Sequence, residues 1–112
     1  MINYSYSKEL NINPVTFREF DLDDIREVFA KIFESYNPKV KDQVFDSFCE
    51  DFYNLTTQIH ATSEKIWRMV ITDMLFCYED KGYLEGAAKD SGVKRKQFAI
   101  IANVLIGKLR VK

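Results

Sequence analysis

Apolar positions recur at helical spacing over most of this chain. Leu22, Ile25, Val28, Phe29, Ile32, Phe33 and Tyr36 repeat at i, i+3 and i+4 and predict one amphipathic helix beginning near Asp21. Asp21 is a suitable cap, and Asp23, Asp24 and Glu27 suit the positive end of the helix dipole. Asn37-Pro38 closes this helix and opens the next, with Asn37 as cap and Pro38 at the first helical position. The second helix is expected over about 38–58. Val40, Val44, Phe45, Phe48, Cys49, Phe52, Leu55 and Ile59 form its inner face, and Asp42, Asp46, Glu50 and Asn54 its outer one.

The third helix is expected to start after Thr62 or Ser63. Ile66, Trp67, Val70, Ile71, Met74, Leu75, Cys77 and Tyr78 cover about half its circumference, while Met69 and Phe76 fall on the polar half. A helix apolar on more than one side belongs at the centre of its domain. Gly82 offers a terminating position. A short helix is expected over 83–91 and broken by Gly92, then a final one from Lys94 to about Leu109. That last helix would bury Phe98, Ile101, Ala102, Leu105 and Leu109.

Residues 1–20 read differently. Ile2, Tyr4 and Tyr6 alternate with polar residues as in a short strand, but no convincing partner strand follows, and an extended arm packed by its aromatics fits equally. Asn13-Pro14 blocks helix there. The expected architecture is all-α. It is one compact five-helix domain over 1–112, with an arm (1–20), an acidic three-helix part (21–81) and a basic C-terminal helix pair (82–112).

Charge sharpens this division. The net charge is −1, yet residues 1–88 hold nine Lys/Arg against 16 Asp/Glu, whereas residues 89–112 hold seven against Asp90 alone. A segment at +6 beside one at −7 marks a basic face for nucleic acid or an acidic partner, or a basic end that docks on the acidic remainder. Lys108, Arg110 and Lys112 also suit a helix C-terminus.

The segment 84–105, LEGAAKDSGVKRKQFAIIANVL, resembles the helix-turn-helix of DNA-binding regulators. Ala88 stands four residues before Gly92, as a small residue stands before the turn glycine in that family. Ala87 fits the other small position. Val93 matches the apolar plug, and Phe98 and Ile101 the buried positions of the recognition helix. The resemblance implies a recognition helix starting near Lys94, with Lys94, Arg95, Lys96 and Gln97 at the major groove and Asn103 farther along the same exposed side. Lys94 stands where the family usually has a Ser or Thr cap. Ile100, with Val104 beside it, puts apolar groups on the exposed face, which suits a protein partner better than a phosphate backbone. A plain packed helix corner would carry the same small-residue spacing.

Other chemistry is thin. No Gly-rich phosphate loop, paired catalytic carboxylates or nucleophile motif appears, and no enzyme is expected. Cys49 and Cys77 are expected as core thiols, and His60 as a surface or capping histidine. These three are too few for a disulfide framework or structural zinc site, and no cofactor is expected. Asp21, Asp23 and Asp24 lack the glycine and terminal Glu of a calcium loop. No apolar run approaches the roughly 20 residues of a membrane span, and the N-terminus lacks a signal-peptide pattern, so a cytoplasmic protein is expected. Frequent Ile, Lys, Phe, Tyr and Asn suit a phage or mobile element with an AT-rich genome.

Two functions follow as expectations. One is a small DNA-binding transcriptional regulator that uses Lys94, Arg95, Lys96, Gln97 and Asn103. The other is a helical interaction module, an inhibitor or adaptor, that engages a protein partner or a second copy. It would act through an acidic face (Asp42, Asp46, Glu50) and the apolar pair Ile100 and Val104. Neither calls for a membrane or a small-molecule substrate.

Overall fold

The computed structural model describes residues 14–59 and 62–111. The expected strand or arm at Ile2, Tyr4 and Tyr6, together with His60 and Lys112, lies outside the described residues. The protein is mostly helical: β1 (Pro14–Val15), α1 (Leu22–Ser35), β2 (Lys39–Val40), a 3-10 turn (Asp42–Val44), α2 (Phe45–Gln58), β3 (Thr62–Ser63), α3 (Glu64–Asp80), β4 (Leu84–Glu85) and α4 (Ser91–Leu109). Four α-helices stand among the described residues where five were expected.

Local sequence sets the helix ends. Asp21 and Asp24 cap α1 reciprocally: each side chain accepts from the other's backbone N–H at 2.9 Å. Ser63 Oγ accepts from Ile66 N at the start of α3. At the other end of α3, Gly82 adopts φ 77°. Gly82 N donates to Glu79 O and Tyr83 N to Tyr78 O, and the Tyr78 and Tyr83 rings meet at 5.7 Å. This glycine-terminated helix end satisfies carbonyls that would otherwise be orphaned.

The expected helix over 38–58 begins later, at Phe45. Lys39 and Val40 pair antiparallel with Glu85 and Leu84, and Lys41 N donates to Tyr83 O. The same pairing abolishes the helix expected over 83–91. Backbone groups of Tyr83, Leu84 and Glu85 bond across to residues 39–41, and Gly86 turns the chain at φ 83°. A second short ladder joins β1 to β3, Pro14 opposite Ser63 and Val15 opposite Thr62. Beyond it, Arg18 N donates to Leu109 O and Val111 N to Thr16 O, which ties this segment to the end of α4.

One continuous core runs from Val15 to Leu109. Its centre is aromatic. Phe29 meets Phe48 at 4.8 Å and Phe52 at 5.5 Å, both edge-on, and Phe48 meets Tyr78 at 5.0 Å. Trp67 is buried between Phe17 and Phe52. Ile25, Val28, Phe29, Ile32 and Phe33 are buried as their spacing requires, and Phe98, Ile101, Ala102, Leu105 and Leu109 are joined by Ile106. Cys49 is buried, but Cys77 is exposed and is not a core thiol. No helix among the described residues is long and apolar enough to cross a membrane.

Candidate functional site

The C-terminal helix carries nearly all of the expected contact residues. Asp90 caps it and accepts from Val93 N at 3.0 Å. Gly92 therefore lies inside the first turn of α4 rather than in a turn between two helices. A Cβ at position 92 would come within 3.2 Å of the Asp90 carboxylate, so the missing side chain leaves room for the cap. Val93, expected as a buried plug, is 50% exposed. Ala87 and Ala88 are half-buried in the loop before α4, not on a helix. The resemblance to a helix-turn-helix thus has only α4 to rest on.

Two contacts fix how α4 lies on α3. The Arg95 guanidinium sits over the Phe76 ring at 5.0 Å. Arg68 Nε donates to Asn103 Oδ1 at 2.8 Å. Positions 95, 99 and 103 of α4 thus run antiparallel along 76, 72 and 68 of α3, each set at i, i+4 spacing. Phe76 and Phe98 meet edge-on at 4.5 Å beneath this seam.

Most of the expected nucleic-acid contacts have partners within the molecule, although Arg95, Lys96 and Asn103 remain exposed. Lys94 Nζ lies 2.8 Å from Glu79 Oε1, with both side chains largely covered. Gln97 Oε1 accepts from Ala88 N at 2.9 Å, and its Nε2 donates to Gly86 O at 3.3 Å. Asn103 is held by Arg68 and Arg95 by Phe76. Arg110 pairs with Glu64 at 2.9 Å, and Glu64 also holds Arg68 at 3.4 Å. Lys96 is exposed and makes no ion pair among the described residues. Much of the positive end thereby docks on the rest of the chain, one of the arrangements that the charge division allowed.

The acidic candidates lie elsewhere. Asp42, Asp46 and Glu50 are exposed on the 3-10 turn and α2. Asp46 accepts from Arg26 at 3.3 Å, and Arg26 also pairs with Asp23. Asp51, next to Glu50, accepts from the Tyr78 hydroxyl. Burial and that hydrogen bond push the Tyr78 phenol above its ordinary range. Burial likewise pushes the Cys49 thiol up to about 12. A thiol held protonated is a core group, not a nucleophile.

The apolar candidates are the outward ones. Ile100 is 48% exposed and Val104 half-buried, and together with Val93 they fall on the face of α4 opposite Phe98, Ala102, Leu105 and Leu109. Gly107 continues the line at i+3 from Val104, with nothing within 4 Å of a Cβ placed there. On α3, Met69 is 53% exposed, beside the Arg68 that binds Asn103. Sequence reading put Met69 on the polar half of its helix, where it is exposed, but missed Val93 and Gly107 as surface features. The signal was present in the i, i+7, i+11, i+14 spacing of 93, 100, 104 and 107.

Besides a groove of about 440 Å³ at Glu19, Phe20, Asp21 and Asp24, two more border α1, the first of them reached by Lys108 of α4. One, of about 350 Å³, is lined by Arg18, Asp24, Glu27, Val28, Lys31 and Lys108. The other, of about 300 Å³, lies by Phe33, Val40 and Phe45. No cluster of His, Cys, Asp and Glu among the described residues is arranged to hold a metal ion. No known protein family, curated protein or solved structure shows significant similarity to this chain.

Proposed function

We propose that this protein is a helical interaction module, an adaptor or inhibitor, that docks a partner protein on the outer face of α4. The observation that carries this is the two-sided apolar character of α4. Its inner face fills the core, and its outer face leaves Val93 and Ile100 about half exposed with Val104 between core and surface. A helix apolar around its circumference is normally covered on every side. Exposed apolar groups in register along one helix are the usual form of a groove-docking or helix-pairing surface.

A photo-crosslinking side chain at position 100 tests this. A protein adduct is expected at position 100 that the same group at exposed Ser47 on α2 does not give, and Val104→Asp should abolish it. Adducts of equal yield at both positions would overturn the reading.

The DNA-binding regulator is the second reading. It is favoured by Lys96, exposed and unpaired among the described residues, and by the absence of acid from α4 itself. In the same experiment it calls for nucleic-acid adducts at position 100. It also calls for binding to random duplex DNA that weakens steeply with salt and falls in a Lys94/Arg95/Lys96→Ala variant. The interaction module leads because Lys94 and Gln97 are partly covered in intramolecular contacts that DNA would have to displace, and exposed Arg95 and Asn103 also have partners on α3.

A further inference from the structure

Gly107 has no structural reason to be glycine. Its φ is not positive, it lies inside α4, and a Cβ there would meet nothing within 4 Å. Glycine in a helix interior costs about 1 kcal/mol relative to alanine. The usual return for that cost is close approach of another backbone. Gly107 lies on the same outward line as Val93, Ile100 and Val104, so the close approach would come from whatever covers that line.

Charge and area say what the occupant is. The helix from Ser91 to Leu109 contains Lys94, Arg95, Lys96 and Lys108 and no Asp or Glu. In a second copy packed antiparallel with the crossing at the level of residue 102, midway between Ile100 and Val104, Lys96 and Lys108 of one helix would stand level with Lys108 and Lys96 of the other; packed parallel in register, Lys96 meets Lys96 and Lys108 meets Lys108. Like charges in either orientation disfavour self-pairing. A helix of this length is about 28 Å long, and one face of it offers about 300 Å². A stable dimer buries about 800 Å² per partner, so this face suits a transient contact with one helix.

We infer that the outer face of α4 binds a single amphipathic helix of another protein whose apolar stripe is flanked by Asp or Glu, with the two backbones closest at Gly107. This rests on the reading of that face as a docking surface. The acid flanks would meet Lys96 and Lys108, and the apolar stripe would cover Val93, Ile100 and Val104.

The test uses the full chain and two helix-stapled peptides of roughly 20 residues with the same Leu/Ala stripe. One is flanked by Glu, the other by Lys, and binding is followed by fluorescence anisotropy. The Glu peptide is expected to bind at least about tenfold more tightly, with the gap narrowing at high salt. Gly107→Leu, checked for folding by its thermal melt, should weaken Glu-peptide binding at least about tenfold, with Gly107→Ala intermediate. Equal binding of both peptides, lost in Ile100→Ser, would overturn the acidic partner and leave the docking face standing. Binding that survives Ile100→Ser would overturn both. If neither peptide binds, the inference fails. So does it if sedimentation shows a dimer that Ile100→Ser dissolves, because the occupant is then a second copy.

Discussion

Lys94 Nζ sits 2.8 Å from Glu79 Oε1, with side chains only 17% and 28% exposed. Lys94, which the helix-turn-helix resemblance implies at a DNA groove, joins the first turn of α4 to the last turn of α3. The pair closes the far side of the 83–90 connection, which starts at the Gly82 helix end and finishes at the Asp90 cap.

Lys94→Met should destabilise the protein by about 1–2 kcal/mol, because the largely covered Glu79 is left without its partner. Lys96→Ala should stay within about 0.5 kcal/mol, as expected of an unpaired surface side chain. Urea unfolding of the two variants side by side measures the difference. Equal effects would mean that the Lys94–Glu79 pair contributes nothing.

Gln97 uses both ends of its amide on the connecting loop, at Ala88 N and Gly86 O. Gln97→Ala should cost about 1 kcal/mol. It should also speed hydrogen exchange at the Ala88 amide far more than at amides in the middle of α4. Unchanged exchange at Ala88 would show that the loop holds itself without the clamp.

The two helical glycines of α4 should respond in opposite ways to alanine. Gly107→Ala should raise stability by about 0.5–1 kcal/mol, since the added methyl enters open space in a helix interior. Gly92→Ala should gain less or lose, because its methyl crowds the Asp90 cap at 3.2 Å. Asp90→Ala should itself cost about 1 kcal/mol. Thermal melts of the three variants settle the order.

Stability should decline in alkali. The Cys49 thiol moves from its ordinary 9.0 to about 12 on folding, so above pH 9 the unfolded chain releases a proton that the folded one retains. That favours unfolding as pH rises through the window from 9.0 to about 12. Tyr78, raised by burial and by donation to Asp51, acts in the same direction. Urea midpoints should therefore fall above pH 9, and Cys49→Ala should flatten the fall. A midpoint independent of pH over that window would contradict burial of the neutral thiol.

The helix expected over 83–91 and the first turns expected of the helix over 38–58 are absent for one shared reason. Residues 38–44 carry helix-compatible spacing at Val40 and Val44, and 83–91 has no residue that forbids helix before Gly86. Each became extended because the other was available to pair with it. A pairing between segments more than forty positions apart leaves no periodicity in either. Cys77 fell on the half of α3 marked as apolar, yet it faces solvent, because α4 covers the Arg68–Thr72–Phe76 side instead. The candidate site divided likewise. Ile100 and Val104 were legible as outward apolar residues. The capture of Lys94, Arg95, Gln97 and Asn103 by neighbours was not, since each partner except Ala88 and Gly86 is on α3.

The sequence by itself determined the central stretches of the four long helices, the cap at Asp21, a start for α3 at Thr62 or Ser63, the Gly82 terminus and almost every buried residue. These depend on contacts within a few positions, which spacing and side-chain chemistry record directly. Only the tertiary structure decided which charges remain available. That choice depends on the antiparallel seating of α4 on α3, which sets Glu79 against Lys94 and Arg68 against Asn103 and leaves Ile100 and Gly107 facing outward.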